Sequence, residues 1–102
     1  MPLYPPRSLE PYKKKEALFK REQQLQHALS CGAAPERLHR AAENVRAAQL
    51  SVLKAEQELI RYEPESEERS RHLASIEKKR DAWQSRPVES IIQQYSVSPV
   101  RT

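Results

Sequence analysis

The sequence has little of the residues that build sheets and disulfides. It contains one glycine, one cysteine and one phenylalanine among 102 residues, against eight prolines. Sheets and their tight turns need many more glycine and asparagine residues, so the chain is predicted to be all-α. The lone Cys31 cannot form an internal disulfide, so nothing in the sequence indicates an oxidising compartment.

Long apolar runs are also missing. Residues 1–11 contain four prolines and no stretch that resembles the apolar core of a signal peptide. No later segment reaches the roughly 18 consecutive apolar residues that indicate a membrane span. We therefore expect an intracellular protein, most simply a cytoplasmic one.

Large apolar side chains are scarce for a chain of this length. Leu, Ile, Val and Phe make up about a fifth of the sequence, the level at which chains begin to fail to bury a core. The length allows one domain at most. The net charge is only +4, so charge repulsion does not favour disorder. We therefore expect folding to be helped by self-association, most simply as a homodimer.

The prolines and the single glycine divide the chain into predicted elements. Residues 1–11 are predicted to form an extended proline-rich arm. Gly32 occupies the position where a left-handed residue commonly ends a helix, while Pro35 and Pro64 suit the first turns of the helices that follow. The predicted helices span 12–31, 35–63 and 64–85. Residues 87–102 are predicted to form a tail that is extended overall and contains one apolar cluster, spaced for a short helix at 88–95.

The predicted second helix carries an unbroken heptad stripe. Apolar residues recur at alternating spacings of three and four over more than three heptads, which indicates supercoiled helix packing. Three of these positions are alanine, which allows a neighbouring backbone to approach closely. The helix-packing residues are Leu38, Ala41, Val45, Ala48, Val52, Ala55 and Leu59, and the pattern continues to Tyr62.

A second apolar row on the same helix, Leu50, Leu53 and Ile60, predicts contacts on another side. The turn at Gly32 would fold the first helix back along the heptad stripe, and the third helix would cover the second row. The predicted fold is therefore a coiled-coil-like antiparallel helical hairpin, extended by a third helix in an up-down-up order, with extended arms at both ends.

The residue types that carry catalysis are few and scattered. Thirteen glutamates are interleaved with basic residues, and there is one aspartate, so no acid, base and nucleophile are brought together in a predicted pocket. His27 and Cys31 lie four residues apart on one helix, and His39 lies across the turn, but a second cysteine that would indicate a zinc site is missing. We expect no enzyme activity, no cofactor, no metal and no small-molecule substrate.

Two further patterns bear on partners. The densest basic stretches, Lys13, Lys14 and Lys15 and then Lys78, Lys79 and Arg80, raise the alternative of a small nucleic-acid-associated protein. Ser98 precedes Pro99 and Arg101 in a pattern that resembles the targets of proline-directed kinases, which makes it a candidate phosphorylation site. Because glutamates neutralise much of the basic charge, the leading hypothesis is a helical interaction or scaffold protein that binds itself or a partner helix.

Overall fold

The computed structural model describes residues 10–97, and the side chains of 11–96. The all-α expectation is confirmed for these residues, which contain four helices and no strand. The helices are α1 (Glu10–Ser30), α2 (Pro35–Ile60), α3 (Glu67–Ser85) and α4 (Val88–Val97).

The first helix ends in a tight glycine turn. Gly32 has a φ of 67°, and its N–H donates to the carbonyl of Leu29, while the N–H of Ala33 donates to the carbonyl of Ala28. These two bonds satisfy carbonyls that the end of a helix leaves open, as in a Schellman motif. α1 begins at Glu10, two residues before the predicted start, because Pro11 is tolerated in a first helical turn. The rest of the predicted N-terminal arm, residues 1–9, lies outside the described residues.

The link between α2 and α3 is longer than predicted. α2 ends at Ile60 rather than Glu63, and the N–H of Glu63 donates to the Ile60 carbonyl, three residues back. α3 begins at Glu67 rather than Pro64, because the Ser66 hydroxyl accepts a hydrogen bond of 3.1 Å from the N–H of Arg69. A serine side chain at the N-cap accepts a hydrogen bond from one of the backbone N–H groups that the start of a helix leaves unpaired. A proline in the first turn cannot do this.

The predicted C-terminal arm is helical as far as the structure describes it. α4 starts directly after Pro87, whose carbonyl accepts hydrogen bonds from the N–H groups of Ser90 and Ile91. The expected short helix at 88–95 is present and extends to Val97, so the tail is helical rather than extended over residues 88–97. The physical reason is packing, since the apolar edge of α4 is covered by α1 and α2.

Helix α2 is contacted by each of the other three helices, and α1 also contacts α4. Seven of the ten buried apolar side chains in the described residues form two groups along α2. The α4 cluster consists of Leu25, Ala42, Val45 and Ile91, and the α3 cluster consists of Leu53, Ile60 and Ile76. Trp83, near the end of α3, packs against both clusters and so joins them.

Ile91 is the test of how strongly α4 closes the core. Its side chain is fully buried between α1 and α2, so Ile91→Ala is expected to lower the free energy of unfolding by about 2–5 kcal/mol. Urea unfolding followed by circular dichroism measures the loss. The exposed Gln93 on the same helix provides the control, because Gln93→Ala should change the value by less than about 0.5 kcal/mol. Equal effects of the two substitutions would contradict the packing of α4.

Candidate interaction surfaces

The heptad positions of α2 lie mostly inside the chain. Val45, Val52 and Ala55 are buried, and the remaining positions are half-buried. The half-buried positions are Leu38, Ala41, Ala48 and Leu59. Val45 packs against Leu25 of α1 and Ile91 of α4. A second copy of the folded chain therefore cannot reach Val45, and an interaction surface has to be sought elsewhere.

Ala42 is a core residue that the heptad assignment leaves out. Its side chain is fully buried in the α4 cluster, although it sits beside the stripe rather than on it. The available signal was its spacing, four residues after Leu38 and three before Val45, which places all three on one helical face. Alanine at this point lets α4 approach α2 closely.

A hydrogen bond joins α4 to α1 at the edge of the core. The Tyr95 hydroxyl donates to a carboxylate oxygen of Glu22. Burial raises the pKa of the Tyr95 phenol, and the hydrogen bond to Glu22 and its negative charge raise it further, while the charge of Arg86 opposes them. This contact holds the phenol in its neutral form and ties α4 to α1.

Two arginines brace the corner between α3 and α4. The Arg46 guanidinium, only 19% exposed, donates to the carbonyl of Arg86 and pairs at 3.1 Å with Glu43. Arg86 in turn lies over the Trp83 ring, 4.9 Å from its centroid, and donates to Ser90 at 3.2 Å. These contacts fix the direction in which α4 leaves α3.

The histidines and the cysteine are not gathered into a ligand set. Cys31 Sγ lies 3.4 Å from Nε2 of His27, but His39 is directed to Glu89 across a gap of 3.6 Å. Among the residues the structure describes, no group of three or more His, Cys, Asp or Glu side chains is placed to hold a metal ion.

The two basic stretches lie on different helices on either side of α2. Lys15 pairs with Glu56 at 3.6 Å, and Arg80 donates to Gln57 at 3.4 Å. Lys13, Lys78 and Lys79 are exposed, while Lys14 is half-buried. The structure does not merge these residues into one patch. The candidate phosphorylation site Ser98 lies outside the described residues.

Open grooves run along the contact between α1 and α2. One, with a volume of about 220 Å³, is lined by Lys14, Ala17, Arg21, Asn44, Ala47, Ala48 and Ser51. Another, of about 350 Å³, is lined by Lys20, Gln23, Gln24, His27 and Arg37. Neither groove receives a residue from α3 or α4. The sequence analysis did not place Lys14 and Arg21 beside the middle of α2. It relied on how closely basic residues follow one another in the sequence, which does not show which side of a helix is left uncovered.

Helix α1 also exposes two aromatic side chains. Tyr12 is 66% exposed and Phe19 is 58% exposed. They are seven residues apart, which is two turns, so they share one face of the helix. Exposed aromatic residues on one face are typical of protein interfaces.

The chain matches no protein-family model, no curated protein and no solved structure. Within residues 10–97, none of the helices combines the length and the apolar character that crossing a bilayer requires.

Removing the Tyr95 hydroxyl should lower the stability of the fold by an amount that depends on pH. At neutral pH, Tyr95→Phe is expected to lower the free energy of unfolding by about 1 kcal/mol, because the hydrogen bond to Glu22 is lost. Above about pH 10 the unfolded phenol loses its proton while the folded one keeps it, so the native protein loses stability as the pH rises. The difference in free energy of unfolding between the native protein and Tyr95→Phe should therefore decrease as the pH rises above about 10.

Urea unfolding at neutral and alkaline pH measures this difference. Tyr12→Phe is the matched control, because that side chain is exposed. A difference that stays constant across the alkaline range would contradict a raised pKa for Tyr95.

Proposed function

We propose that this chain is a non-enzymatic helical interaction protein that associates with a second copy of itself through the outer face of α1. In this proposal α1 and α2 form a coiled-coil-like antiparallel hairpin, and α3 and α4 brace it. The exposed pair Tyr12 and Phe19 carries the proposal, because large aromatic side chains gain most by being covered and dominate interface energetics.

Contacts along the hairpin support its antiparallel direction. Lys15, early in α1, pairs with Glu56, late in α2. Leu25, late in α1, packs with Ala42 and Val45 in the first half of α2. The Gly32 turn between the helices is short, as antiparallel neighbours require.

A two-fold pair of α1 helices also suits the charges of this face. In an antiparallel pair, Tyr12 of one copy meets Phe19 of the other. The same register sets Lys15, whose side chain stays 60% exposed beside Glu56 of its own chain, opposite Glu16 of the other copy. Self-complementary contacts of this kind are what a symmetric dimer needs. Opposite charges flanking an apolar seam fix its register, as they do in coiled coils.

Nucleic-acid association, the alternative, has less support. Arg80 is engaged by Gln57 at 3.4 Å, and the two basic stretches lie on different helices, α1 and α3. Phosphate binding is strongest where cations are concentrated on one surface.

Removing the aromatic pair should abolish self-association without unfolding the chain. Sedimentation equilibrium over a range of concentrations should show a dimer for the native protein and a monomer for the double variant Tyr12→Ser/Phe19→Ser. Both side chains are exposed, so helicity and the unfolding midpoint should change little.

The control is Tyr62→Ser, which removes an aromatic side chain of the same exposure as Phe19, 58%, from the turn that follows α2. This variant should remain dimeric. A native protein that stays monomeric at every concentration, or a dimer that survives in the double variant, would refute self-association through this face.

A further inference from the structure

The grooves between α1 and α2 carry charge of one sign only. Lys14, Lys20, Arg21 and Arg37 line them, and no acidic residue does, although the chain contains 14. Within residues 10–97, none of these four cations takes part in an ion pair. Arg21 donates to the neutral Gln24 at 3.2 Å. We call this surface, with Ala17, Ala47 and Ala48, the basic seam.

The seam has the spacing and the floor of a helix-packing groove. On α1, Lys14, Ala17 and Arg21 follow one another at intervals of three and four residues. On α2, Asn44, Ala47 and Ser51 do the same, so both edges repeat with the heptad period. In the groove of Lys14 and Arg21 the other lining side chains are short, three of them alanine, which lets the backbone of a third helix approach closely.

We propose that the basic seam binds an acidic amphipathic helix of a partner protein. Small apolar residues of that helix would pack on the alanine floor, while its carboxylates would pair with Lys14, Lys20, Arg21 and Arg37. This inference rests on the antiparallel hairpin of the proposed function. Lys14, Ala17 and Arg21 lie on a face of α1 other than that of Tyr12 and Phe19.

Charge complementarity favours an acidic helix of a partner protein over the terminal segments of the same chain. The segments outside the described residues, 1–9 and 98–102, contain no aspartate or glutamate. They cannot neutralise four cations. Charged residues that flank a helical seam set which partner is accepted, and opposite charge speeds the encounter.

The floor of the seam favours a helix over nucleic acid. The groove with the alanine floor has no aromatic lining, and the other groove has only the His27 ring, so single-stranded bases would find little stacking surface there. A duplex would use the cations at the edges and leave the methyl groups of Ala17 and Ala47 unused. A helix uses both.

The experiment uses the full chain and two synthetic helical peptides of about three heptads. One peptide has an alanine-rich face flanked by glutamates, and the other carries lysine at each glutamate position. Fluorescence anisotropy at low and high salt should show that only the acidic peptide binds, and that binding weakens as salt rises.

Two variants locate the binding. The double variant Lys14→Glu/Arg21→Glu should bind the acidic peptide about tenfold or more weakly than the native protein does. The matched control Lys78→Glu/Lys79→Glu makes the same change of net charge on exposed residues of α3 and should bind almost as the native protein does. Ala47→Leu, at an exposed floor position, should block the peptide by bulk without any change of charge.

Other outcomes overturn the inference. Equal losses in the two charge variants would mean that attraction is not localised in the seam. Binding of a DNA or RNA duplex, but not of the acidic peptide, would assign the seam to nucleic acid. Failure of the peptide to bind, while the Tyr12 and Phe19 dimer persists by sedimentation, would refute the inference alone. Loss of the dimer alone would refute only the proposed self-association.

Discussion

Burial of Val45 is the constraint on which most of the described structure depends. Its side chain is fully buried on α2, and both Leu25 of α1 and Ile91 of α4 join it in one cluster. Because large apolar side chains are scarce, α1 and α4 pack against the same cluster on α2. α3 is held further along α2 by Leu53 and Ile60, and the ring of Trp83 connects the two groups. The fold is a central helix with three helices attached to it.

Local patterns made much of this architecture predictable. The heptad stripe and the second apolar row indicated a helix contacted on several sides, and Gly32 with Pro35 indicated the turn. The start of α3 was predicted at Pro64, because proline suits a first helical turn. The helix begins at Glu67 instead, because the hydroxyl of Ser66 caps it. The role of α4 could not be settled from the sequence. Its apolar spacing was visible, but packing on its own chain depends on the space that α1 and α2 leave between them.

The candidate surfaces were harder to predict than the helices. The lysines at 13–15 were conspicuous as a run, yet the structure separates them: Lys15 pairs with α2, and Lys14 lines a groove. Arg37 joins the same surface from the other side of the Gly32 turn. Proximity between residues this far apart in sequence arises only when the chain folds. The exposed face of Tyr12 and Phe19 likewise becomes distinct only once the opposite face of α1 is known to be covered.

The contact between Glu22 and Tyr95 spans 73 positions of the chain, and this has a consequence for synthesis. Local helices form as soon as their residues are available, but pairings between distant residues wait for the later partner. Helices α1 and α2 thus leave the ribosome with the apolar surface around Leu25 and Ala42 uncovered. Only the arrival of Ile91 and Tyr95 covers it. A chain truncated before α4 would present that surface permanently, as a groove open to the helices of other proteins.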